Sequence, residues 1–255
     1  MTGFEIHQFP CLNDNYGYLV HDKFSGETAA IDTPDASVIL SEAEKKGWTI
    51  TQIWNTHWHP DHAGGNLEIK EKTGCTIIGP VGEQEKIPGL DRAVGQDAIV
   101  NLGARTARVL DVPGHTAGHI AFYMEEEGVA FVGDTVFALG CGRLFEGSPE
   151  QMWTSISKIM ALPGDTMLYC AHEYTEANAE FAITIEPENE DLIDYVCRIQ
   201  DLRMENKPTV PTRLSEELKA NPFLRADQPE LQAHVGHPND TVATFAEIRS
   251  RKDSF

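Results

Sequence analysis

The run Thr56-His57-Trp58-His59-Pro60-Asp61-His62 constrains this chain more than any other segment, because His57 to His62 packs three imidazoles and a carboxylate into six residues. Residues 49–55 before it are rich in β-branched side chains and predict a strand. Residues 62–73 after it predict a helix that Gly74 stops. Side chains two apart on an extended chain point the same way, so His57 and His59 can share one ion. Pro60 keeps His59 out of the α region and so preserves that extension. Asp61 and His62 then fall at the turn into the helix, displaced toward a second ion. A polar loop whose histidines only cap or hydrogen-bond is the competing reading.

Three later segments strengthen the metal reading. Pro113-Gly114-His115-Thr116-Ala117-Gly118-His119 lies between two predicted strands, Gly133-Asp134 ends an apolar strand, and Ala171-His172 ends another. Each offers a ligand beside small residues that let the backbone approach closely. Singly each is an ordinary turn former. A joint set of imidazoles and carboxylates suits zinc, iron or manganese.

Hydrophobic alternation predicts strands at 4–9, 16–20, 28–32, 75–78, 107–111, 119–124, 129–132 and 166–170. A helix is expected at 35–46, stopped by Gly47, and another from Ser148-Pro149-Glu150 to 161. Past residue 174 the pattern is helical, at 175–185, 188–205, 215–220 and 239–252. We therefore expect a mixed α/β catalytic domain over 1–174 and a small helical substrate-binding domain over 175–255.

Charge narrows the partners. The 20 basic and 40 acidic residues leave a formal charge of −20, which repels nucleic acid and anionic membrane. No apolar run is long enough for a membrane span, and no basic-then-apolar leader opens the chain. Five cysteines without a CxxC pair read as reduced thiols, so a cytoplasmic protein is expected, working as a monomer on a small molecule.

The motifs THWHPDH, PGHTAGH, VGDTVF and AHEYT resemble, in this order, the metallo-β-lactamase superfamily and, within it, the glyoxalase II (hydroxyacylglutathione hydrolase) family. The resemblance spans essentially the whole chain. It implies an αββα sandwich and two divalent metal ions. His57, His59 and His115 would serve one ion, Asp61, His62 and His172 the other, and Asp134 both. Asp134 and Asp61 are then the catalytic candidates, beside a hydroxide shared by the ions. The implied reaction is hydrolysis of S-(R)-lactoylglutathione and similar thioesters to glutathione and a 2-hydroxy acid, the detoxification of methylglyoxal. Another ester, lactone or thioester hydrolase of the superfamily is the alternative, and a non-catalytic metal-binding module a third reading.

The resemblance also implies substrate contacts. Gly140 to Gly147 is similar to the family's glutathione-contacting loop, with Arg143 and Phe145 where some members carry Lys and Tyr. Tyr174 matches a tyrosine beside the substrate. Arg249 and Lys252, three apart on one helix face, could grip the glycine carboxylate of glutathione. Cations near a helix C-terminus can also be there for the dipole alone. His119 is expected to support the site rather than ligate. His7, His21, His234 and His237 are expected at the surface or as caps, Asn221-Pro222-Phe223-Leu224 as a turn, and Cys141 and Cys170 as packing residues.

Overall fold

The alternating N-terminal stretch forms β1 (Phe4–Cys11) in the computed structural model, which describes residues 3–255. It pairs antiparallel with β2 (Asn15–Asp22), Phe4 opposite Asp22 and Cys11 opposite Asn15. β3 (Thr28–Ile31) adds antiparallel to β2. β4 (Gln52–Trp54), β5 (Thr76–Pro80) and β6 (Arg92–Val94) follow, each parallel to the strand before it. Parallel addition needs a crossover. One is α1 (Ala36–Lys46), and the next is built from α2 (Pro60–Ala63) and α3 (Asn66–Thr73). A second run of strands is an antiparallel meander of β7 (Ile99–Leu102), β8 (Arg105–Asp111), β9 (Ile120–Met124) and β10 (Val129–Gly133).

Strand alternation divides the core. Ile53 and Ile77 face Ile39, Ala43 and Ile69 of the crossover helices. Their neighbour Trp54 turns the other way, onto Phe122 of the meander, with ring centroids 5.2 Å apart. Tyr18 meets Phe131 likewise at 5.7 Å. Two sheets thus stack face to face, with helices on the outer face of the first. Truncating a fully buried side chain such as Ile39 to Ala would cost about 2–5 kcal/mol.

Local chemistry sets the helix ends. Asp35 caps α1 by accepting from the Ser37 and Val38 amides, and Gly47 closes it at φ 69°. The single helix expected over 62–73 is instead two, with Gly64-Gly65 between them. The Gly65 amide there donates to Thr33 O at 2.9 Å, and a Cβ on Gly65 would meet that oxygen at 2.9 Å. Close backbone approach overrides the helical periodicity.

The chain forms two compact units, one holding it up to Asp111 with Thr116–Gly133, the other Val112–His115 with Asp134–Phe255. After Asp134 the second unit continues with a hairpin, β11 (Val136–Phe137) and β12 (Gly140–Cys141). α4 (Pro149–Met160) follows, started by a capping box of Ser148 and Gln151. Next come β13 (Met167–Cys170), α5 (Thr175–Ile185), α6 (Glu190–Met204), β14 (Thr212–Arg213), α7 (Leu214–Ala220), α8 (Pro229–Val235) and α9 (Thr241–Ser254). Leu139, Ala179, Ala182, Leu192, Tyr195, Ile199 and Ala220 form its core cluster. The strands β6, β7, β11, β12 and β14 and helix α8 escape the sequence reading, being short, and β6 and β7 are half exposed as well. Among the described residues, no helix is long and apolar enough to cross a membrane.

Candidate metal centre

β4 ends at Trp54, and the chain bends at Thr56 and His57, where an extended run was expected, before His59, whose ψ of 148° is the conformation that Pro60 demands. His57 Nε2 and His59 Nδ1 come to 3.0 Å of each other. Pro60 then opens α2, which carries Asp61 and His62. Asp61 Oδ2 lies 3.5 Å from His62 Nε2, and Asn15 Nδ2 donates to the same carboxylate oxygen at 3.2 Å.

Asp32, just past β3, organises this segment. It accepts from the Thr56 amide at 2.8 Å, from Thr56 Oγ1 at 2.8 Å and from His62 Nδ1 at 2.8 Å. Since the Thr56 hydroxyl proton goes to Asp32, its lone pair takes the His57 Nδ1 proton at 3.1 Å. Protons on Nδ1 leave the Nε2 lone pairs of His57 and His62 for a cation. Asp32 holds φ 56°, a left-handed conformation uncommon outside glycine. Gly133 is also left-handed, and a Cβ there would meet Thr56 Oγ1 at 2.6 Å. Buried Glu83 accepts from the amides of Trp58 and Gly118, each at 2.9 Å, which ties down the link between His57 and His59. Asp32, Asn15 and Glu83 were missed in the sequence. Only the acid after an apolar strand, at Asp32, left a signal there.

His115 donates Nδ1–H to Arg143 O at 2.9 Å, which leaves Nε2 of the neutral ring unprotonated, 3.3 Å from Asp134 Oδ2. His172 Nε2 lies 3.5 Å from Asp134 Oδ1. Gly142 passes so close to Asp134 that a Cβ would collide with the Asp134 carbonyl oxygen.

Ligand atoms gather in each unit: His57, His59, Asp61 and His62 in the first, and His115, Asp134 and His172 in the second. The donor set fits a divalent metal. Zinc bonds of about 2.0–2.1 Å give tetrahedral ligand edges of about 3.3–3.4 Å, close to the 3.3 and 3.5 Å between these imidazole and carboxylate atoms. Five imidazoles and two carboxylates, with no thiolate, suit zinc, iron or manganese.

The residues around this centre differ in exposure. Phe145 is 62% exposed, with its ring edge-on to His115 at 5.2 Å. Tyr174 is 37% exposed and stacks on His172 at 4.7 Å. Arg143 is exposed. Arg249 is buried, bonded through Nη1 to Cys141 O at 2.9 Å and paired with Asp253 at 2.9 Å. Lys252 Nζ donates to Ala177 O at 2.7 Å, and burial pulls its pKa below the usual lysine value. His119 stacks on His57 at 4.7 Å and is fully buried. His21, expected at the surface or as a cap, is instead buried, stacked on Trp48 at 4.4 Å and bonded to Thr28. Its pKa is lowered by that burial. Cys141 and Cys170 are buried, which pushes their thiols up to about 11 and about 12.

Known proteins match this chain over nearly its full length. Residues 24–172 match the model of the metallo-beta-lactamase superfamily, and residues 173–255 match that of the hydroxyacylglutathione hydrolase C-terminus. The hydroxyacylglutathione hydrolase of Hyphomonas neptunium is 66% identical, with 98% of each chain covered. That of Erythrobacter litoralis is 60% identical over 98% of this chain and 99% of its own. The crystal structure of ETHE1 from Myxococcus xanthus superposes with a TM-score of 0.68 at 22% identity, over 98% of this chain and 99% of its own, which speaks for the fold alone. With the superfamily's αββα sandwich and a helical C-terminal region, the chain belongs to the hydroxyacylglutathione hydrolase family.

Proposed function

We propose that this protein hydrolyses the thioester of S-(R)-lactoylglutathione and similar 2-hydroxyacylglutathiones, giving glutathione and a 2-hydroxy acid. In this reading His57, His59 and His115 would hold one divalent ion and Asp61, His62 and His172 a second, with Asp134 as a ligand that would serve both. Zinc is the first choice, with iron or manganese as substitutes. The observation that carries the reading is that His57, His62 and His115 each commit Nδ1–H to an oxygen, which leaves Nε2 as a lone-pair donor.

When bound, such an ion pair supplies a lowered water pKa and polarises the thioester carbonyl. The residues do the rest. Asp134 offsets part of the charge of two neighbouring cations. Asp61, whose carboxylate accepts from Asn15 Nδ2, would steer the attacking water in this reading. No serine or cysteine nucleophile is needed, and a thiol with a pKa of about 8.5 leaves without strong acid assistance. Exposed Arg143 offers a cation to the carboxylates of glutathione, while Phe145 and Tyr174 present apolar faces beside His115 and His172. Lys252 completes the proposed substrate contacts, and Arg249, expected to share that role, would serve it indirectly by bracing Cys141 O two residues before Arg143. We assign catalysis to residues 1–174 and substrate binding to 175–255, a division supported by family matches that meet between 172 and 173. The charge of −20 argues for a small-molecule partner over nucleic acid or anionic membrane, and we propose a cytoplasmic monomer.

The test is hydrolysis of S-lactoylglutathione beside a neutral thioester and a lactone, with metal content measured on the same sample. Preference for the glutathione thioester at two ions per chain is expected. Faster turnover of the lactone or the neutral thioester would overturn the substrate assignment.

A further inference from the structure

The hairpin of β11 and β12 joins Asp134 to Arg143, and helical-region side chains grip every residue from Phe137 to Cys141. Asn221 Nδ2 lies 3.1 Å from Phe137 O and 3.0 Å from Gly140 O. Asn178 Nδ2 donates to Ala138 O at 3.1 Å, and Arg249 to Cys141 O at 2.9 Å. Glu217 Oε2 accepts from the Leu139 amide at 2.9 Å and from Asn221 Nδ2 at 2.9 Å. Its other oxygen takes Thr212 Oγ1 at 2.6 Å and Tyr195 Oη at 3.1 Å. Glu217 and Asn221 are fully buried, and Asn178 is 5% exposed.

Several features mark this as a built template. Leu139 holds φ 55°, a left-handed conformation that costs energy outside glycine, and the Glu217 carboxyl fixes its amide. Gly140 sits so tightly on Asn178 that a Cβ would collide with the amide group. Glu217 is a buried acid whose donors are a backbone amide, two hydroxyls and a carboxamide. Burial raises its pKa, an expense that a merely structural leucine would avoid.

We propose that Glu217, with Asn178 and Asn221, is a positioning residue for the catalytic centre: the clamp on residues 137–141 sets the Asp134 carboxylate at one end of the hairpin and the Arg143 carbonyl at the other. The route is short. Gly142 N donates to Thr135 O at 3.3 Å across the hairpin mouth, and Arg143 O accepts the His115 Nδ1 proton. A hairpin that shifts disturbs a carboxylate ligand and the tautomer of an imidazole ligand together. The helical region then builds the metal centre as well as receiving the substrate.

This rests on the reading of Asp134 and His115 as metal ligands, so the test reads metal retention apart from turnover. The holoenzyme and its variants are challenged with a chelator, zinc release is followed, and kcat and KM are measured with S-lactoylglutathione. Glu217→Leu is expected to lose zinc about 10–100-fold faster and to lower kcat at least about tenfold, with KM changed less than about threefold. Glu217→Gln keeps an oxygen for Leu139 and Asn221, and its amide faces hydroxyls that can accept, so it should stay within about threefold of the parent. Val235→Ala in α8 is the control: it removes buried apolar volume, lowers the melting temperature and leaves zinc release unchanged. A folded Glu217→Leu that retains zinc and kcat, or a Glu217→Gln as damaged as Glu217→Leu, overturns the inference. Should Glu217→Leu fail to fold, Asn178→Ala decides, since it deletes the single bond to Ala138 O. Faster zinc release with a lowered kcat is then expected, and parental values overturn the proposal. Failure of the parent to cleave lactoylglutathione would instead sink the substrate assignment and leave the zinc-release comparison intact.

Discussion

The Asp32 carboxylate takes the Nδ1 proton of His62 at 2.8 Å and, through Thr56, governs the proton on His57 as well. One buried acid thereby sets the tautomers of two imidazoles separated by four residues. Asp32→Asn tolerates the left-handed backbone but gives up an acceptor. It should weaken metal affinity about 10–100-fold, measured by chelator competition or calorimetry. An unchanged affinity would show that the His62 orientation is fixed elsewhere.

Asp134 lies 3.3 Å from His115 Nε2 and 3.5 Å from His172 Nε2, so one carboxylate faces two imidazoles. Asp134→Ala should reduce bound metal below two ions per chain and lower kcat by about 10³-fold or more, equivalent to roughly 4 kcal/mol of barrier. Metal analysis on the purified variant beside steady-state kinetics checks this. Two tightly held ions with parental turnover would contradict the bridging role.

The two C-terminal cations should behave differently. Arg249 is buried and bonded to Cys141 O, so Arg249→Ala should cost about 1–3 kcal/mol of stability by stranding that carbonyl. Lys252, on the same helix, should act mainly on substrate. Lys252→Ala is expected to raise KM several-fold with kcat nearly unchanged, the pattern of lost uniform binding. A KM equal to the parent's would reduce Lys252 to its bond with Ala177 O.

Thiol chemistry gives an independent check on the core. Cys11, Cys75, Cys141 and Cys170 are buried, and Cys197 is exposed. Burial pushes Cys11 and Cys170 up to about 12 and Cys141 up to about 11. A colorimetric disulfide reagent on native protein should therefore react quickly with one thiol of the five, and Cys197→Ser should abolish that phase. A second fast thiol would show that a buried one is accessible.

Glu5 contributes to acid stability. Hydrogen bonds from Lys46 and Lys23 lower its pKa from 4.5 to about 2. A depressed carboxyl pKa stabilises the fold above the unfolded value, and that contribution is lost as pH falls through the folded one. The parent should thus exceed Glu5→Gln in stability above about pH 4.5, with the gap closing toward pH 2. The side chain is about a third exposed, which limits the gap to roughly 0.2–1 kcal/mol. Denaturant titrations at pH 7, 4 and 2.5 measure it, and a gap that widens on acidification would reverse the sign.

The sequence alone determined what local chemistry governs. His57 and His59 lie two apart, Pro60 holds His59 out of the α region, and apolar periodicity marks α1, α5 and most strands, because these properties depend on neighbours within a few residues. What only the tertiary structure decided is which distant groups meet them. Asp32 reaches His62 across thirty positions, Glu83 joins Trp58 to Gly118, and Glu217 grips Leu139 across 78. The inward turn of Arg249 and the stacking of His21 on Trp48 belong to the same class. Long-range pairing arises from chain crossovers and sheet register, and those leave no periodic trace in the residues they bring together.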